Sequence, residues 1–302
     1  VSKSILSTFS TVFHKYVYSL FIFYIICDVY IISDWGYEND GPSRWSKIFP
    51  LCGKIRQSPI NIVNSKAKVR SRLGNITMIG YDKPITTKIR NNGHTAQVDI
   101  TSGDVFIKNG GLPGKYKLLQ LHFHWGSDNG KGSEHTINGE QFPMELHLVH
   151  YLTSAAGVGE ALTLPKGLAV IGFMFEVSLI LLYGRYFVIR PCMSVSNTAE
   201  DLLDNGRTIH VQLAEFAVGD LLPNNPCHFY RYLGSLTTPS CDEIVVWSVF
   251  KEKIKISKRQ VRSQIAFLIF CFVTVFILLI KTYYIIKVQY VIIGPEHKLE
   301  LI

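Results

Sequence analysis

The chain has 302 residues, of which 47% are hydrophobic, and a formal net charge of +8 at pH 7. This length corresponds to one domain with flanking segments. Much of the positive charge lies between residues 251 and 262. Because no nucleic-acid-binding motif accompanies it, we expect no nucleic-acid partner and interpret this cluster as a solvated or membrane-flanking surface.

An apolar run near the start of the chain, residues 16–27 (YVYSLFIFYIIC), follows Lys15 and precedes Asp28. The sequence does not begin with Met, and we expect a fragment or a processed product. A short apolar run with a basic flank is typical of a signal peptide or signal anchor rather than of a full membrane span. A buried core helix is the alternative. We expect residues 1–32 to be a signal peptide or signal anchor.

Short apolar runs alternate with turn residues from 57 to 107, and this rhythm predicts many short strands. Three such runs are Ile76–Ile79, Ile85–Ile89 and Gln97–Ile100. Further along the chain, Leu168–Val177 is almost continuously apolar, which predicts a strand buried on both faces.

Residues 120–150 read QLHFHWGSDNGKGSEHTINGEQFPMELHLVH, two alternating flanks around a loop rich in Gly, Asn and Ser. This pattern predicts an extended hairpin. Side chains two apart on a strand share a face, so His122 and His124 project together and His147 on the returning strand can meet them. His150 should face the other way. Three convergent imidazoles with a fourth position open form the arrangement of a catalytic zinc site.

The motifs HFHWG, GSEHT and ELHLVH resemble the zinc-binding core of the alpha-class carbonic anhydrases. More of that family's pattern appears in DWGY at 34–37, CGKIRQSPINI at 52–62, NNGH at 91–94, GLAVIGF at 167–173 and GSLTTP at 234–239. The resemblance implies a catalytic domain over residues 33–256. It also implies a mainly β (α+β) fold, a large, twisted, mostly antiparallel sheet with short peripheral helices.

The activity that this resemblance implies is the reversible hydration of carbon dioxide to bicarbonate and a proton. Zn²⁺ would be held by His122, His124 and His147 and would activate a water as the nucleophile. His94 in NNGH matches the family's proton shuttle, since imidazole titrates near neutrality; an ordinary turn histidine is the alternative.

The family's catalytic threonine corresponds to Thr237, which would accept the nucleophile's proton and pass its own hydroxyl proton to Glu134. Ligating imidazoles need their second nitrogen held by an acceptor. The expected acceptors are Gln120 and Glu145, one for each strand, and a backbone carbonyl for the third histidine. His135 is expected to hydrogen-bond in the same outer layer.

Carbon dioxide is small and apolar, so the resemblance implies an apolar wall rather than hydrogen bonds around it. That wall would consist of Val149, Val170, Leu236 and Trp247. The Thr238 side chain and the Thr237 backbone N–H would meet the substrate or product oxygens. The waters of the proton path would be ordered by Tyr37, Asn92 and Gln97. Gln97 stands where an Asn is expected, a mild change that is able to rearrange these waters.

The pairing of the six cysteines cannot be deduced from the sequence alone. Resemblance to secreted members of the family implies a disulfide between Cys52 and Cys241, which closes a loop of about 190 residues and contributes about 3–5 kcal/mol. The sequon at Asn75 fits the same secretory route. We therefore expect a protein that is secreted or held at the plasma membrane, with its catalytic domain extracellular.

Two segments depart from the family pattern. Residues 178–193 (SLILLYGRYFVIRPCM) are apolar where a polar loop and a short helix are expected, and the usual closing segment after Ile256 is absent. Instead, residues 257–302 combine a basic flank with the uncharged run Ile265–Ile280, a candidate transmembrane helix. That run is shorter than the ~20 residues of a spanning helix, and the basic cluster lies on the wrong side for the positive-inside preference. A misassembled reading frame is the alternative for both segments.

Two other interpretations of the chain stay open. One is a catalytically silent carbonic-anhydrase-like binding module, although such relatives typically lose a zinc histidine and this sequence keeps all three. The other is a product that lacks the closing segment and does not fold.

Overall fold

The computed structural model describes residues 35–37, 41–91, 94–126, 130–178, 211–212 and 215–257. The predicted signal segment, nearly all of the atypical segment 178–193 and the C-terminal apolar run lie outside these residues, as does Asn92. Within the described ranges, none of the helices has the length and hydrophobicity needed to cross a bilayer.

Fourteen strands are the main regular elements of the described chain. In order they are β1 (Asn61–Ile62), β2 (Ile76–Ile79), β3 (Pro84–Asn91), β4 (Ala96–Ser102), β5 (Phe106–Asn109), β6 (Tyr116–Trp125), β7 (Thr136–Ile137), β8 (Met144–Leu152), β9 (Leu168–Val177), β10 (Val211–Gln212), β11 (Phe216–Ala217), β12 (Phe229–Gly234), β13 (Val245–Phe250) and β14 (Ile254–Ile256).

Within the described residues the helices are few and short. Two are α-helices, α1 (Pro42–Ile48) and α2 (Val158–Ala161). Single 3₁₀ turns occur at Pro50–Gly53, Asn64–Lys66, Ser71–Leu73 and Val218–Leu221. The short strands predicted between 57 and 107 are found, and the run Ile76–Ile79 coincides with β2.

Twelve of the strands form one large sheet with the central order β10-β3-β4-β6-β8-β9-β13-β12. Its neighbours are mostly antiparallel, whereas β9 pairs in parallel with β13 and with β14. The remaining strands, β1 and β7, form a separate parallel pair. The prediction of a mainly β fold built on a large, mostly antiparallel sheet is confirmed.

Alternating side chains of the central strands divide between two hydrophobic clusters, one on each face of the sheet. On β8, Leu146 and Leu148 belong to the larger cluster, whereas Val149 belongs to the smaller one. The strand β9 contributes to both clusters and is buried over its first eight residues. The prediction that Leu168–Val177 is a strand buried on both faces is therefore confirmed.

A disulfide between Cys52 and Cys241 ties the turn Pro50–Gly53 to the loop between β12 and β13. This is the pair that the resemblance to secreted members implied. It closes a loop of 189 residues, so it constrains most of the described chain. Asn75, the first residue of the sequon, is exposed just before β2.

Candidate metal centre

Three histidines converge on the side of the sheet that carries the smaller hydrophobic cluster. The register of β6 and β8 places His122 directly opposite His147. The Nδ1 atom of His147 lies 3.2 Å from Nε2 of His122 and 3.1 Å from Nε2 of His124. One nitrogen from each ring thus faces a common point, and these atoms lie within 4.8 Å of one another.

His150 lies on the opposite face, as its odd spacing from His147 predicts. Its Nε2 atom is 2.7 Å from the hydroxyl oxygen of Tyr81, and its Nδ1 atom is 3.2 Å from the carbonyl oxygen of Ala169. Burial lowers the pKa of His150 to about 4, so this ring is neutral and structural.

The outward nitrogens of two of the three convergent histidines meet the acceptors expected from the sequence. Nδ1 of His122 is 2.9 Å from Oε1 of Gln120, and Nε2 of His147 is 2.7 Å from Oε1 of Glu145. An acceptor at the outer nitrogen keeps the proton there and leaves the lone pair of the inner nitrogen available. For the outer nitrogen of His124, no hydrogen bond occurs within the described ranges, so the expected backbone carbonyl is not found there.

The protonation states of the three rings suit a cation. Burial lowers the pKa of His122 and of His124 well below the ordinary value. Burial also lowers the pKa of His147, although the neighbouring Glu145 opposes this effect. All three imidazoles are therefore neutral at physiological pH, as metal ligation requires. The donor set and its protonation fit a zinc ion.

Glu145 organises the layer beneath the histidines and is completely buried. Its Oε1 atom accepts from His147 and from Nδ1 of His135, each at 2.7 Å. Its Oε2 atom accepts the backbone N–H groups of Glu134 and His135, each at 2.9 Å. Burial opposes ionisation of Glu145, but the two histidines and these hydrogen bonds hold its pKa well below the usual range. The carboxylate is a fixed negative charge behind the site.

The carboxylate of Glu134 faces the point on which the three histidines converge. Its Oε2 atom lies 3.3 Å from Nε2 of His124 and 3.9 Å from Nδ1 of His147. Among the described residues this buried oxygen has no hydrogen-bond partner. Burial and the charge of Glu145 raise the pKa of Glu134 well above its ordinary value, against a lowering hydrogen bond with Thr237. Buried polar atoms normally have a hydrogen-bond partner. The unpartnered Oε2 atom of Glu134, beside the inner nitrogens of the three histidines, therefore indicates that the site is shaped to hold a further polar group.

Thr237 and Thr238 lie in the loop between β12 and β13, and backbone hydrogen bonds within this loop hold its shape. The N–H of Leu236 donates to the carbonyl of Asp242 at 3.0 Å, and the N–H of Cys241 donates to the carbonyl of Thr238 at 2.9 Å. With the disulfide at Cys241, these bonds fix the segment that carries both threonines.

The four residues expected to form the apolar wall come together. Val149, Val170 and Trp247 form a row across β8, β9 and β13, and Leu236 packs against the same cluster. The ring of Trp247 lies edge-on to His147 with centroids 4.8 Å apart. The wall therefore adjoins the histidines.

Of the residues expected on the proton path, Tyr37, His94 and Gln97 lie in the described part of the chain and Asn92 lies outside it. The ring of His94 stacks on Trp35 with centroids 3.7 Å apart, and Tyr37 lies edge-on at 6.2 Å. Burial lowers the pKa of His94 below its ordinary value. Gln97 donates from Nε2 to Oδ1 of Asp99 at 2.6 Å.

Three residues of the site, Trp35, Ser58 and Tyr232, were not anticipated from the sequence. Trp35 stacks on His94, and its position inside the DWGY motif was the one available signal. The hydroxyl of Tyr232 lies 2.6 Å from Nε2 of His135 and 2.8 Å from Oγ of Ser58. No local motif marks Tyr232, because its contact with His135 joins residues 97 positions apart.

Comparison with known proteins gives a consistent result. A model of the eukaryotic-type carbonic anhydrase family matches residues 40–269. Carbonic anhydrase 7 of Mus musculus is 40% identical over 233 residues, which cover 76% of this chain and 84% of that protein. Carbonic anhydrase 7 of Homo sapiens is also 40% identical, over 75% of this chain and 83% of that protein. Carbonic anhydrase 4 of Oryctolagus cuniculus is 35% identical over 77% of this chain and 72% of that protein. The chain belongs to the eukaryotic-type carbonic anhydrase family.

Proposed function

We propose that this chain catalyses the reversible hydration of carbon dioxide to bicarbonate and a proton, with a zinc ion held by His122, His124 and His147. The observation that carries the proposal is the convergence of three imidazole nitrogens on one point. Two of the rings have their outer nitrogens on acceptors, Gln120 and Glu145, which suits ligation by the inner ones. Three ligands leave a fourth position open, as in catalytic zinc sites.

When bound, the zinc ion lowers the pKa of a coordinated water and so supplies the nucleophile. The protein orients the attacking oxygen through Thr237 and Glu134. The hydroxyl of Thr237 donates a hydrogen bond to the carboxylate of Glu134, an interaction that opposes the raising of the Glu134 pKa by burial. This leaves the Thr237 oxygen as an acceptor for the nucleophile's own hydrogen. This pair therefore selects one orientation of the attacking lone pair.

The apolar row of Val149, Val170 and Trp247, completed by Leu236, receives the carbon dioxide. Such a wall excludes competing water and holds the substrate without a hydrogen bond that would have to break in the reaction. The side chain of Thr238 and the N–H of Thr237 meet the oxygens of the substrate or product.

His94 carries the released proton to solvent. Its ring is held by Trp35 in a stacked position, and its lowered pKa keeps it neutral and able to accept a proton near neutral pH. Tyr37 and Gln97 take part by ordering the waters between the ring and the metal centre, and Asn92 is proposed for the same role.

The setting that we propose is extracellular, with residues 33–256 as the catalytic domain. The disulfide between Cys52 and Cys241 and the exposed sequon at Asn75 favour a secretory route. Residues 1–32 would serve as signal peptide or signal anchor, and the apolar run within 257–302 is proposed as a membrane anchor.

The test is zinc removal and restoration on the full chain, expressed through a eukaryotic secretory pathway. Carbon dioxide hydration should vanish when a chelator strips the metal and return when zinc, but not magnesium, is added. A protein that binds zinc at the three histidines without hydration would contradict the proposal and favour a silent binding module. Failure to obtain soluble protein would favour the third interpretation, a chain that does not fold without its closing segment.

A further inference from the structure

A second group of potential metal ligands lies at the ends of β12 and β13 that are remote from the threonine loop. Cys227 and His228 immediately precede β12, and Glu252 closely follows β13. These strands are antiparallel, with Phe229 opposite Phe250, so residues before one and after the other meet at one end of the hairpin. The N–H of Lys251 donates to the carbonyl of His228 at 2.8 Å and closes that end.

This group is separate from the three convergent histidines. The strand β12 runs from Phe229 to Gly234 before it reaches the loop of Thr237, and six strand residues span roughly 20 Å. Cys227 is exposed, and among the described cysteines it is the free one. Neither the apolar wall nor the residues around His94 include any member of this group.

The three donor atoms lie at distances close to those of a zinc site. Sγ of Cys227 is 3.3 Å from Nδ1 of His228 and 3.7 Å from Oε1 of Glu252, and Nδ1 is 2.8 Å from Oε1. Zn–S bonds of about 2.3 Å and Zn–N bonds of about 2.0 Å at tetrahedral angles separate ligand atoms by roughly 3.3–3.6 Å. Only the imidazole–carboxylate separation has to widen, by a few tenths of an ångström.

The carboxylate is already oriented toward this point. The backbone N–H of His228 lies 3.2 Å from Oε1 and 3.3 Å from Oε2 of Glu252, and the Glu252 side chain is only 25% exposed. Its flanking lysines are engaged elsewhere, since Lys251 lies over the ring of Tyr230 and Lys253 over that of Phe142. A held carboxylate therefore faces an imidazole and a thiol, the three ligand types that zinc accepts.

We propose that Cys227, His228 and Glu252 bind a second zinc ion, with water completing the coordination. The ion would cross-link the ends of β12 and β13. These two strands form the hairpin that carries the Thr237 loop and Trp247. A ligand that binds the folded hairpin and not the unfolded chain stabilises the fold. The function of this site is therefore structural, and it does not depend on metal at His122, His124 and His147.

The test uses the full chain, loaded with zinc or cobalt and dialysed. Elemental analysis should give two zinc ions per chain for the unmodified protein. Cys227→Ser and Glu252→Gln should weaken the second binding event roughly tenfold or more, because even the loss of a residue that only supports a ligand costs about 10–100-fold. The matched control is Glu215→Gln, which changes an exposed carboxylate before β11, toward the edge of the sheet opposite β12, and should leave both events unchanged.

Cobalt distinguishes the two sites, because the three convergent histidines offer no sulfur and Cys227 is the free thiol among the described cysteines. The cobalt–thiolate charge-transfer absorption should appear in the unmodified chain and in His122→Ala, and it should be absent from Cys227→Ser. A single metal ion per chain without thiolate absorption would overturn the proposal. So would Cys227→Ser protein with unchanged second-site affinity, or a disulfide-linked dimer through Cys227. If His122→Ala loses hydration but keeps the thiolate absorption, the second site binds metal independently of the catalytic site, as proposed.

Discussion

The Oε1 atom of Glu145 accepts a hydrogen bond from Nε2 of His147 at 2.7 Å, and both side chains are almost completely buried. The same carboxylate accepts from His135 and from two backbone N–H groups, so four donors surround it. A single acidic side chain therefore fixes both the orientation of one proposed zinc ligand and the loop that carries Glu134.

The first prediction concerns Glu145→Gln. An amide keeps the shape but replaces one acceptor oxygen with an NH₂ group, which would face donors. We expect zinc at the histidine site to bind about 10–100-fold more weakly, as for other residues that support metal ligands. Competition with a chelator measures the affinity. Glu140→Gln, at an exposed position, is the control, and equal affinities in the two variants would contradict the role of Glu145.

The second prediction compares two histidines of β8. His147→Ala should abolish zinc retention and hydration, whereas His150→Ala should keep the zinc. The His150 change leaves the buried hydroxyl of Tyr81 unpaired and should lower the free energy of unfolding by about 1–3 kcal/mol. Both variants are best made in the Cys227→Ser background, so that zinc analysis counts only the histidine site. Zinc loss from His150→Ala protein that is still folded would contradict the assignment.

The third prediction concerns the pH dependence of proton transfer. His94 must be neutral to accept a proton, and burial holds its pKa below 6.5. As the pH falls, its contribution to turnover in weak buffer should therefore decline only below pH 6.5. Trp35→Ala exposes the ring, returns the pKa toward its ordinary value and should start the decline at a higher pH.

A companion variant tests whether His94 itself is the shuttle. His94→Ala should slow turnover mainly in weak buffer, because the chemical step at the metal centre is untouched. Added imidazole should restore the rate by accepting the proton directly. Without such rescue, the slow turnover would have to come from a displaced structure rather than from the lost proton acceptor.

The fourth prediction concerns the disulfide. Replacing both Cys52 and Cys241 by Ser opens a loop of 189 residues and should lower the free energy of unfolding by about 3–5 kcal/mol. Denaturant unfolding measures this difference. Cys227→Ser, compared in metal-free buffer, should leave the free energy unchanged. A similar loss in both proteins would mean that a general effect of Cys→Ser substitution, and not the cross-link, is responsible.

The fifth prediction concerns Gly234. A Cβ atom there would lie 2.2 Å from Oγ of Ser58 and 3.0 Å from Cδ1 of Trp247. The same Cβ would lie 2.6 Å from Cε2 of Tyr232, whose hydroxyl contacts His135. Gly234→Ala should therefore displace Ser58 and Tyr232, destabilise the fold by about 1–3 kcal/mol and reduce hydration. The control is Gly159→Ala in α2, where a Cβ would meet no described atom within 4 Å. Equal stability of the two variants would contradict the tight packing at Gly234.

The faces of the histidines could be predicted from the sequence because strand parity is local. His122, His124 and His147 share a side and His150 faces away, as the spacing alone requires. The supporting acceptors Gln120 and Glu145 followed from the same rule, since each lies two residues from the histidine it contacts.

Other parts of the site depend on strand order, which no local pattern specifies. Tyr232 reaches His135 only because β12 lies beside β13, and Trp35 reaches His94 from a segment about 60 residues earlier. The amide of Gln97 was expected to order waters, but it also donates to Asp99, two residues along the same strand. That choice of partner depends on the side-chain rotamer, which the sequence does not specify.

The parallel pairing of β13 with β9 separates the site into an early and a late part along the chain. The adjacent strands β6 and β8 supply all three histidines, and β9 follows β8 directly in the sheet. Val245 of β13, by contrast, must return to Leu168 of β9. Contacts between distant segments form slowly because loop closure precedes any gain from the contact. During synthesis, the histidines are therefore complete on the growing chain before Thr237 leaves the ribosome. We expect a nascent protein that can hold zinc before it can turn over carbon dioxide.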